Sequence, residues 1–174
     1  MSCRPALVAL ALLAAGCAGR RTTAEPPRVV SVPSPTVRVG ECGAPEKDGV
    51  MSERPRPRRA DRDLDGDGQA ETVVADEAMC TADGNCYWNV FVRGLDGDGG
   101  CERYAGALAG QALEPRGGAT PGTLASVRAY WNLTGGGRML VHEYQFRRGG
   151  YVLIDTLLCR RADDDRLQCT EDLR

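Results

Sequence analysis

The densest group of potential ligands in the sequence is an acidic stretch that reads DRDLDGDGQAETVVA over residues 61–75. Carboxylates at alternate positions suit Ca²⁺, because this ion takes roughly six to eight oxygen ligands and a curling loop brings alternate side chains together. Glycine permits the tight turn that a Cβ atom would obstruct. The preferred register predicts a calcium site made of the side chains of Asp63, Asp65, Asp67 and Glu71 and the backbone carbonyl of Gln69.

A second register of the same loop begins at Asp61 and uses Asp61, Asp63 and Asp65, but it lacks an acid at its ninth position. Neither register has the glutamate that an EF-hand places at its twelfth position. That position is Val74 in the first register and Thr72 in the second, and the residues around them are typical of a strand. We therefore expect an EF-loop-like site on a β scaffold.

The loop resembles the calcium loop of FG-GAP and VCBS repeats, which are the units of integrin-type β-propellers. The resemblance covers Asp63 to Val74 and rests on three alternating aspartates followed by a glycine, an acid and two valines. It implies a bound Ca²⁺ ahead of a strand that contains Val73 and Val74. Glu71 stands where the family usually has aspartate, and residues 61–174 are too few for the roughly four blades of the smallest propellers.

A second acidic turn, at residues 94–102, has Asp96, Asp98 and Glu102 at offsets that match the first loop, but its first ligand position is Gly94. Three interpretations remain open for this turn: a degenerate repeat of the first loop, a weak cation site, or an ordinary hairpin turn.

The N-terminus has the features of an export signal, with Arg4 before an apolar stretch from Ala6 to Ala15 that is too short to span a bilayer as a helix. Residues 13–17 read LAAGC and resemble the lipobox of bacterial lipoproteins. The resemblance implies that residues 1–16 are removed and that Cys17 is acylated and anchors the chain in a lipid bilayer. The residue after this cysteine is Ala18 and not aspartate, and by the family's sorting rule this favours the outer membrane. The alternative is an ordinary cleaved signal with a chance cysteine at its border.

Residues 17–60 are rich in proline and have little apolar periodicity, which predicts an extended, disordered tether. The run ERPRPRR at residues 53–59 is locally basic and is either a solvated linker or a contact for anionic headgroups. Cys42 interrupts this segment, so we expect part of it to be fastened to the folded domain.

Six cysteines remain after Cys3 and Cys17, and an even number in an exported chain predicts three disulfides. Two pairs bracket turn-like sequences, and the third follows by elimination. A zinc site is a weaker alternative, because the sequence has no Cys-x-x-Cys pair and a single histidine. The predicted pairs are Cys159–Cys169, Cys80–Cys86 and Cys42–Cys101.

Residues 61–174 predict an all-β or β-rich domain, because short runs of β-forming residues alternate with glycine-rich turns. The alternation around Trp88 predicts a sheet with one buried face. We expect the last four strands to form a meander. The predicted strands are 72–79, 86–93, 102–109, 123–131, 138–146, 151–159 and 166–170.

Composition and motifs favour a non-enzymatic protein. Nucleic-acid binding is disfavoured because 22 basic residues face 24 acidic residues. The only histidine, His142, has no partner motif, and Glu143 and Asp155 are more typical of surface ion pairs than of acid–base catalysis. We therefore expect an exported lipoprotein module with a structural Ca²⁺. Alternatives are an envelope glycan- or protein-binding module that uses Trp88, Trp131 and Tyr130, and a hydrolase.

Overall fold

A computed structural model of the chain describes residues 33–93, 101–117, 123–134, 137–162 and 166–170, all within one compact unit, Val32–Arg174. The predictions for the signal peptide and Cys17 lie outside the described residues. The described part contains nine strands, a 3₁₀-helix at Glu77–Met79 and no α-helix, so the all-β prediction is confirmed. The strands are β1 Pro57–Arg59, β2 Thr72–Asp76, β3 Cys86–Arg93, β4 Glu102–Gly110, β5 Ala112–Arg116, β6 Ser126–Asn132, β7 Arg138–Arg147, β8 Gly150–Arg161 and β9 Leu167–Thr170.

The strands form two antiparallel sheets. Sheet A has the order β1-β2-β3-β4, and sheet B has the order β5-β6-β7-β8-β9. In both sheets sequence neighbours are also spatial neighbours, so the meander predicted for the last four strands is confirmed. No helix in the described residues is long and apolar enough to cross a bilayer.

Two strands escape sequence-based prediction because each contains a proline. Pro57 lies in β1 and Pro115 lies in β5. Both strands are outermost in their sheets, which is where a residue without a backbone N–H group is tolerated. The strand expected over residues 72–79 ends earlier, because the Asp76 side chain accepts a hydrogen bond from Ala78 N and caps the short 3₁₀-helix.

Sheet A is buried on both faces, which corrects the expectation of a single buried face. Its inner face packs against sheet B, and Val73, Trp88 and Val90 belong to this core. Its outer face carries Phe91 and Tyr104, and the N-terminal segment covers them. The double burial explains why β2 and β3 are nearly continuous in buried residues. The outer-face cluster consists of Val37, Val74, Phe91 and Tyr104, with Met51 packed against it.

Residues 33–60 belong to the folded unit, and the tether predicted through residue 60 is corrected for this part. Asn89 is buried in β3, where its side chain accepts a hydrogen bond from Val50 N at 2.7 Å and donates one to Val50 O at 3.3 Å. Cys42 is bonded to Cys101. The buried backbone N–H and C=O groups of Val50 are thus satisfied by a side chain of sheet A, as burial requires.

Asp76 is the second polar residue that holds this segment. Its buried carboxylate accepts hydrogen bonds from Ser52 N at 2.9 Å, Arg56 N at 2.8 Å and Ala78 N at 3.0 Å. Burial raises the pKa of this carboxyl, but the hydrogen bonds outweigh burial, so the net pKa is lowered from its ordinary 3.8. The fold therefore favours the charged form of Asp76.

All three predicted disulfides are present. Cys159 and Cys169 face each other directly across β8 and β9. The bond between Cys80 and Cys86 closes the turn that leads into β3. The bond between Cys42 and Cys101 ties the N-terminal segment to the start of β4. Two of the disulfides therefore fasten turns, and the third fastens the N-terminal segment that covers the outer face of sheet A.

Candidate metal centre

The acidic loop joins the edge strand β1 to the buried strand β2 and is fixed by its backbone. Arg62 and Glu71 exchange two backbone hydrogen bonds, of 3.2 and 2.7 Å, and close the base of the loop. Between them, Leu64 is only 2% exposed and belongs to the inner core. The Leu64 carbonyl accepts a hydrogen bond from Ala125 N at 2.6 Å. The loop is therefore attached at its base and at one interior point.

Three carboxylates converge in this loop. Asp63, Asp65 and Glu71 each offer an oxygen, and these oxygens lie within 4.8 Å of one another. Two oxygens on opposite sides of a Ca²⁺ ion, each about 2.4 Å from it, lie about 4.8 Å apart. The spacing of the triad therefore fits ligands of a single hard cation. Asp63 is exposed and the other two are half-buried.

Backbone hydrogen bonds hold the two aspartates of the triad in place. Asp63 accepts hydrogen bonds from Gly66 N at 2.7 Å and from Gly68 N at 3.1 Å. Asp65 accepts one from Asp67 N at 3.0 Å. Gly66 and Gly68 have φ of 76° and 89°, which only glycine adopts without strain, so these positions are where the loop needs glycine.

Glu71 completes the triad, and its pKa is raised from its ordinary value. Its carboxylate accepts a hydrogen bond from Leu64 N, which fastens it to the buried part of the loop. Burial raises the pKa of Glu71, and the negative charges of Asp65 and Asp63 raise it further, against the opposing effect of the Leu64 hydrogen bond. A positive ion at this point would relieve the repulsion among the three carboxylates.

Asp67 and Asp61 are not members of the triad, and their carboxylates have hydrogen-bond partners of their own. The Asp67 carboxylate accepts hydrogen bonds from the backbone N of Gln69 at 2.7 Å and from its side-chain Nε2 at 3.4 Å. Asp61, which the second register requires, accepts a hydrogen bond from Val73 N at 3.1 Å and pairs with Arg59 at 3.2 Å. The triad thus favours the register that begins at Asp63.

A polar cavity of about 260 Å³ lies beside the triad. Its lining includes Asp65, Glu71, Arg93 and Glu102. Glu102 is the described member of the second acidic turn, and its Oε1 accepts hydrogen bonds from Arg93 Nε at 2.9 Å and from Thr72 Oγ1 at 3.0 Å. Asp96 and Asp98 of that turn lie outside the described residues. The Glu102 carboxylate is thus held at the cavity wall by hydrogen bonds from Thr72 and Arg93.

The residues considered for catalysis are held in pairs within sheet B. Glu143 forms an ion pair with Arg128, and Asp155 lies opposite Glu143 in the register of β7 and β8. His142 Nδ1 lies 3.0 Å from Thr156 Oγ1, and burial lowers the pKa of His142. These contacts are those of a hydrogen-bonded sheet surface.

The three aromatic residues considered for sugar stacking do not form one exposed surface. Trp88 is only 3% exposed and its Nε1 donates a hydrogen bond to Gly110 O at 2.8 Å. Trp131 packs against Tyr87, and the Tyr130 hydroxyl is hydrogen-bonded to Glu114. Burial of Trp88 removes it from any exposed stacking platform.

Leu64 and Arg93 are parts of this region that sequence reasoning missed. Leu64 is the one large apolar residue between Asp61 and Gln69, and that isolation is a signal of an anchor into the core. Arg93 carries no such signal, because it lies some twenty residues beyond the loop and reaches the cavity only through the pairing of β2 with β3.

No family model, curated protein or solved structure matches this chain.

Proposed function

We propose that this protein is an exported bacterial lipoprotein whose β domain is stabilised by one Ca²⁺ and acts as a non-enzymatic accessory or interaction module. The observation that carries the proposal is the convergence of Asp63, Asp65 and Glu71 on a loop that is fixed by its backbone and by Leu64. In this proposal the ion performs no chemistry. It holds the connection between β1 and β2 in one conformation.

The proposed ligand set keeps Asp67 and the Gln69 carbonyl beside the triad. Three carboxylates supply fewer oxygens than the roughly six to eight that Ca²⁺ takes, unless several bind through both oxygens. Asp67 lies in the same loop and would enter by exchanging its hydrogen bonds from Gln69 for the metal. Water molecules would supply the remaining ligands.

The expected stabilisation is modest. Extracellular modules bind Ca²⁺ with Kd of roughly 10⁻⁴–10⁻³ M. At a free calcium concentration tenfold above Kd, mass action adds about 1.4 kcal/mol to the free energy of unfolding. Such a contribution orders a loop without being needed for the fold as a whole, which three disulfides and two packed sheets already support.

Export and anchoring are the second part of the proposal. Their support is the leader of residues 1–16, the cysteine at position 17 and the three disulfides, since such bonds persist in oxidising compartments. An acyl chain contributes about 0.8 kcal/mol for each buried methylene, so several chains on Cys17 would hold the protein at a bilayer. Ala18 leads us to propose the outer membrane.

Contact with an envelope protein is the second candidate function, and an exposed apolar run favours it. Val152, Leu153 and Ile154 are consecutive in β8 and are 48%, 47% and 48% exposed. Replacement of Leu153 with aspartate would abolish a specific cross-link to an envelope partner in intact cells under this hypothesis. If the cross-linking pattern of the Leu153→Asp variant is the same as that of the wild type, the hypothesis of an envelope partner at this surface is contradicted.

The experiment that tests the calcium proposal compares melting temperatures with calcium and with a chelator. The wild-type protein should melt at a higher temperature in calcium, and Asp65→Ala should remove that difference. Asp155→Ala is the matched control, because Asp155 is an exposed acid on β8 whose carboxylate accepts a hydrogen bond from the adjacent Thr156 N. A wild-type melting curve that chelator leaves unchanged would contradict the proposal.

A further inference from the structure

A cleft of about 200 Å³ lies between the outermost strands of the two sheets, β1 of sheet A and β5 of sheet B. Its lining includes Arg58, Arg62, Trp88, Gln111 and Leu113. None of the described residues that line it carries a carboxylate. The cleft is thus a basic and partly apolar recess in a chain that has more acidic than basic residues, 24 against 22.

Arg58 is held in the cleft by its neighbours in sheet A. The register places Arg58 opposite Ala75, and Ala75 opposite Trp88, so the three share the inner face of the sheet. The guanidinium carbon of Arg58 lies 5.5 Å from the centroid of the Trp88 ring, which is a cation–π contact. Stacking of this kind limits the side chain's freedom and leaves the N–H groups at the rim of the guanidinium plane available to a ligand.

Arg62 supplies a second positive charge from a fixed piece of backbone, since Arg62 is the residue that pairs with Glu71 at the base of the acidic loop. In the described part of the chain, no ion pair involves the side chain of Arg58 or Arg62. The neighbouring Arg59 differs, because it pairs with Glu46 at 3.1 Å and with Asp61 at 3.2 Å.

Gln111 provides a neutral donor on the opposite wall of the cleft. Its side-chain oxygen accepts a hydrogen bond from Asn132 Nδ2 at 2.5 Å, which leaves the amide N–H₂ group as a donor. The cleft thus combines two guanidinium groups, one amide donor and the apolar surface of Leu113.

We propose that this cleft binds a phosphate-bearing ligand through Arg58 and Arg62. One guanidinium already satisfies both oxygens of a carboxylate, whereas a phosphate offers enough oxygens for two guanidinium groups that approach from different sides. The volume suits a single compact group such as a glycerol phosphate. The same chemistry occurs in a soluble phosphate ester and in the headgroup of an anionic lipid. None of the residues that line the cleft is a proposed calcium ligand.

The test is a titration with glycerol 3-phosphate, followed by the fluorescence of Trp88 in a Trp131→Phe background, since these are the only two tryptophans. The emission of Trp88 should change saturably, because the ligand would bind beside the ring that Arg58 covers. Added salt should weaken binding. R58Q/R62Q should weaken it at least about tenfold, since each charge-assisted hydrogen bond is among the stronger kinds.

The matched control is R54Q/R56Q, which also removes two positive charges but from residues outside the cleft. It should change the affinity by less than about twofold, because neither side chain lines the cleft and solvent screens their charges from the ligand. R58K/R62K should fall between the wild type and R58Q/R62Q, because lysine keeps the charge and loses the planar fork. Circular dichroism verifies the fold of each variant, and R62Q alone serves as the test if loss of the Arg58 contact with Trp88 prevents folding.

A second arm identifies the source of the phosphate. Binding of the protein to vesicles of phosphatidylglycerol is compared with binding to vesicles of phosphatidylcholine. The wild-type protein and R58Q/R62Q are compared on the same vesicles, because both contain the apolar leader and only binding through the cleft differs between them. A lipid headgroup is indicated if binding to phosphatidylglycerol depends on the cleft and is half-saturated at a lower phosphate concentration than binding of free glycerol 3-phosphate. A soluble ester is indicated if glycerol 3-phosphate half-saturates the protein at the lower concentration. The proposal is overturned if neither probe gives a cleft-dependent response, or if R58Q/R62Q and the control R54Q/R56Q lose affinity equally.

Discussion

The attachment of the N-terminal segment to sheet A through Asp76 makes a quantitative prediction. The buried carboxylate accepts three backbone hydrogen bonds, from Ser52, Arg56 and Ala78. At about 1.5 kcal/mol for each bond to a charged group, the three contribute about 4.5 kcal/mol, and the cost of burying the charge offsets part of this. We expect Asp76→Ala to lower the free energy of unfolding by about 3 kcal/mol.

Asp76→Asn separates the charge from the shape of this side chain. The pKa of Asp76 is lowered in the folded protein, so its charge adds stability above the ordinary value of 3.8 and this stability is lost as the pH falls through the folded pKa. The asparagine variant has no carboxyl to titrate. The difference in stability between wild type and Asp76→Asn should therefore be largest near neutral pH and should shrink below about pH 4.

Urea unfolding followed by tryptophan fluorescence measures both variants, with Asp155→Asn as the control at an exposed acid. Hydrogen exchange supplies a second readout, since the backbone amides of Ser52 and Arg56 should lose protection in Asp76→Ala before those of the central strands do. If the free energy of unfolding of Asp76→Ala is within about 0.5 kcal/mol of the wild-type value, the view that Asp76 holds residues 52–56 is refuted.

Two further predictions concern the loop and the disulfides. Leu64→Ala should lower the free energy of unfolding by about 2–5 kcal/mol and weaken the calcium-dependent rise in melting temperature, because Leu64 is a buried anchor of the acidic loop. Differential scanning calorimetry with and without calcium measures both effects. If neither quantity changes, the anchoring role of Leu64 is contradicted. Replacing both cysteines of Cys42–Cys101 with serine should cost about 4 kcal/mol, against about 2 kcal/mol for Cys80–Cys86, because their sequence separations are 59 and 6. Urea unfolding of the two variants should rank them in that order, and the reverse order would contradict the loop-length argument.

Features set by local spacing were predictable from the sequence. The bounds of β3 match the prediction, and the three disulfides follow from turn sequences and an even cysteine count. The all-β fold follows from runs of β-forming residues between glycine-rich turns. The convergence of Asp63, Asp65 and Glu71 agrees with three of the five predicted ligand positions.

Features set by distant contacts were not predictable. The outer face of sheet A is buried by residues that precede the predicted domain, and proline-rich composition conceals their role. Asn89 resembles a solvent-facing position in an alternating strand, and only its hydrogen bonds to Val50 reveal that it is buried. Asp67 looks equivalent to its two neighbours in the acidic loop, yet it is not a member of the triad and its carboxylate accepts a hydrogen bond from Gln69 N. Spacing alone does not show which of the three aspartates converge with Glu71.

Titration calorimetry with CaCl₂ on the oxidised, chelator-treated protein tests the central proposal most directly. We predict saturable binding of one Ca²⁺ per chain with Kd of roughly 10⁻⁴–10⁻³ M, lost in Asp65→Ala and retained in Asp155→Ala. Absence of binding heat in the wild type, together with the absence of any calcium-dependent shift in melting temperature, would contradict it.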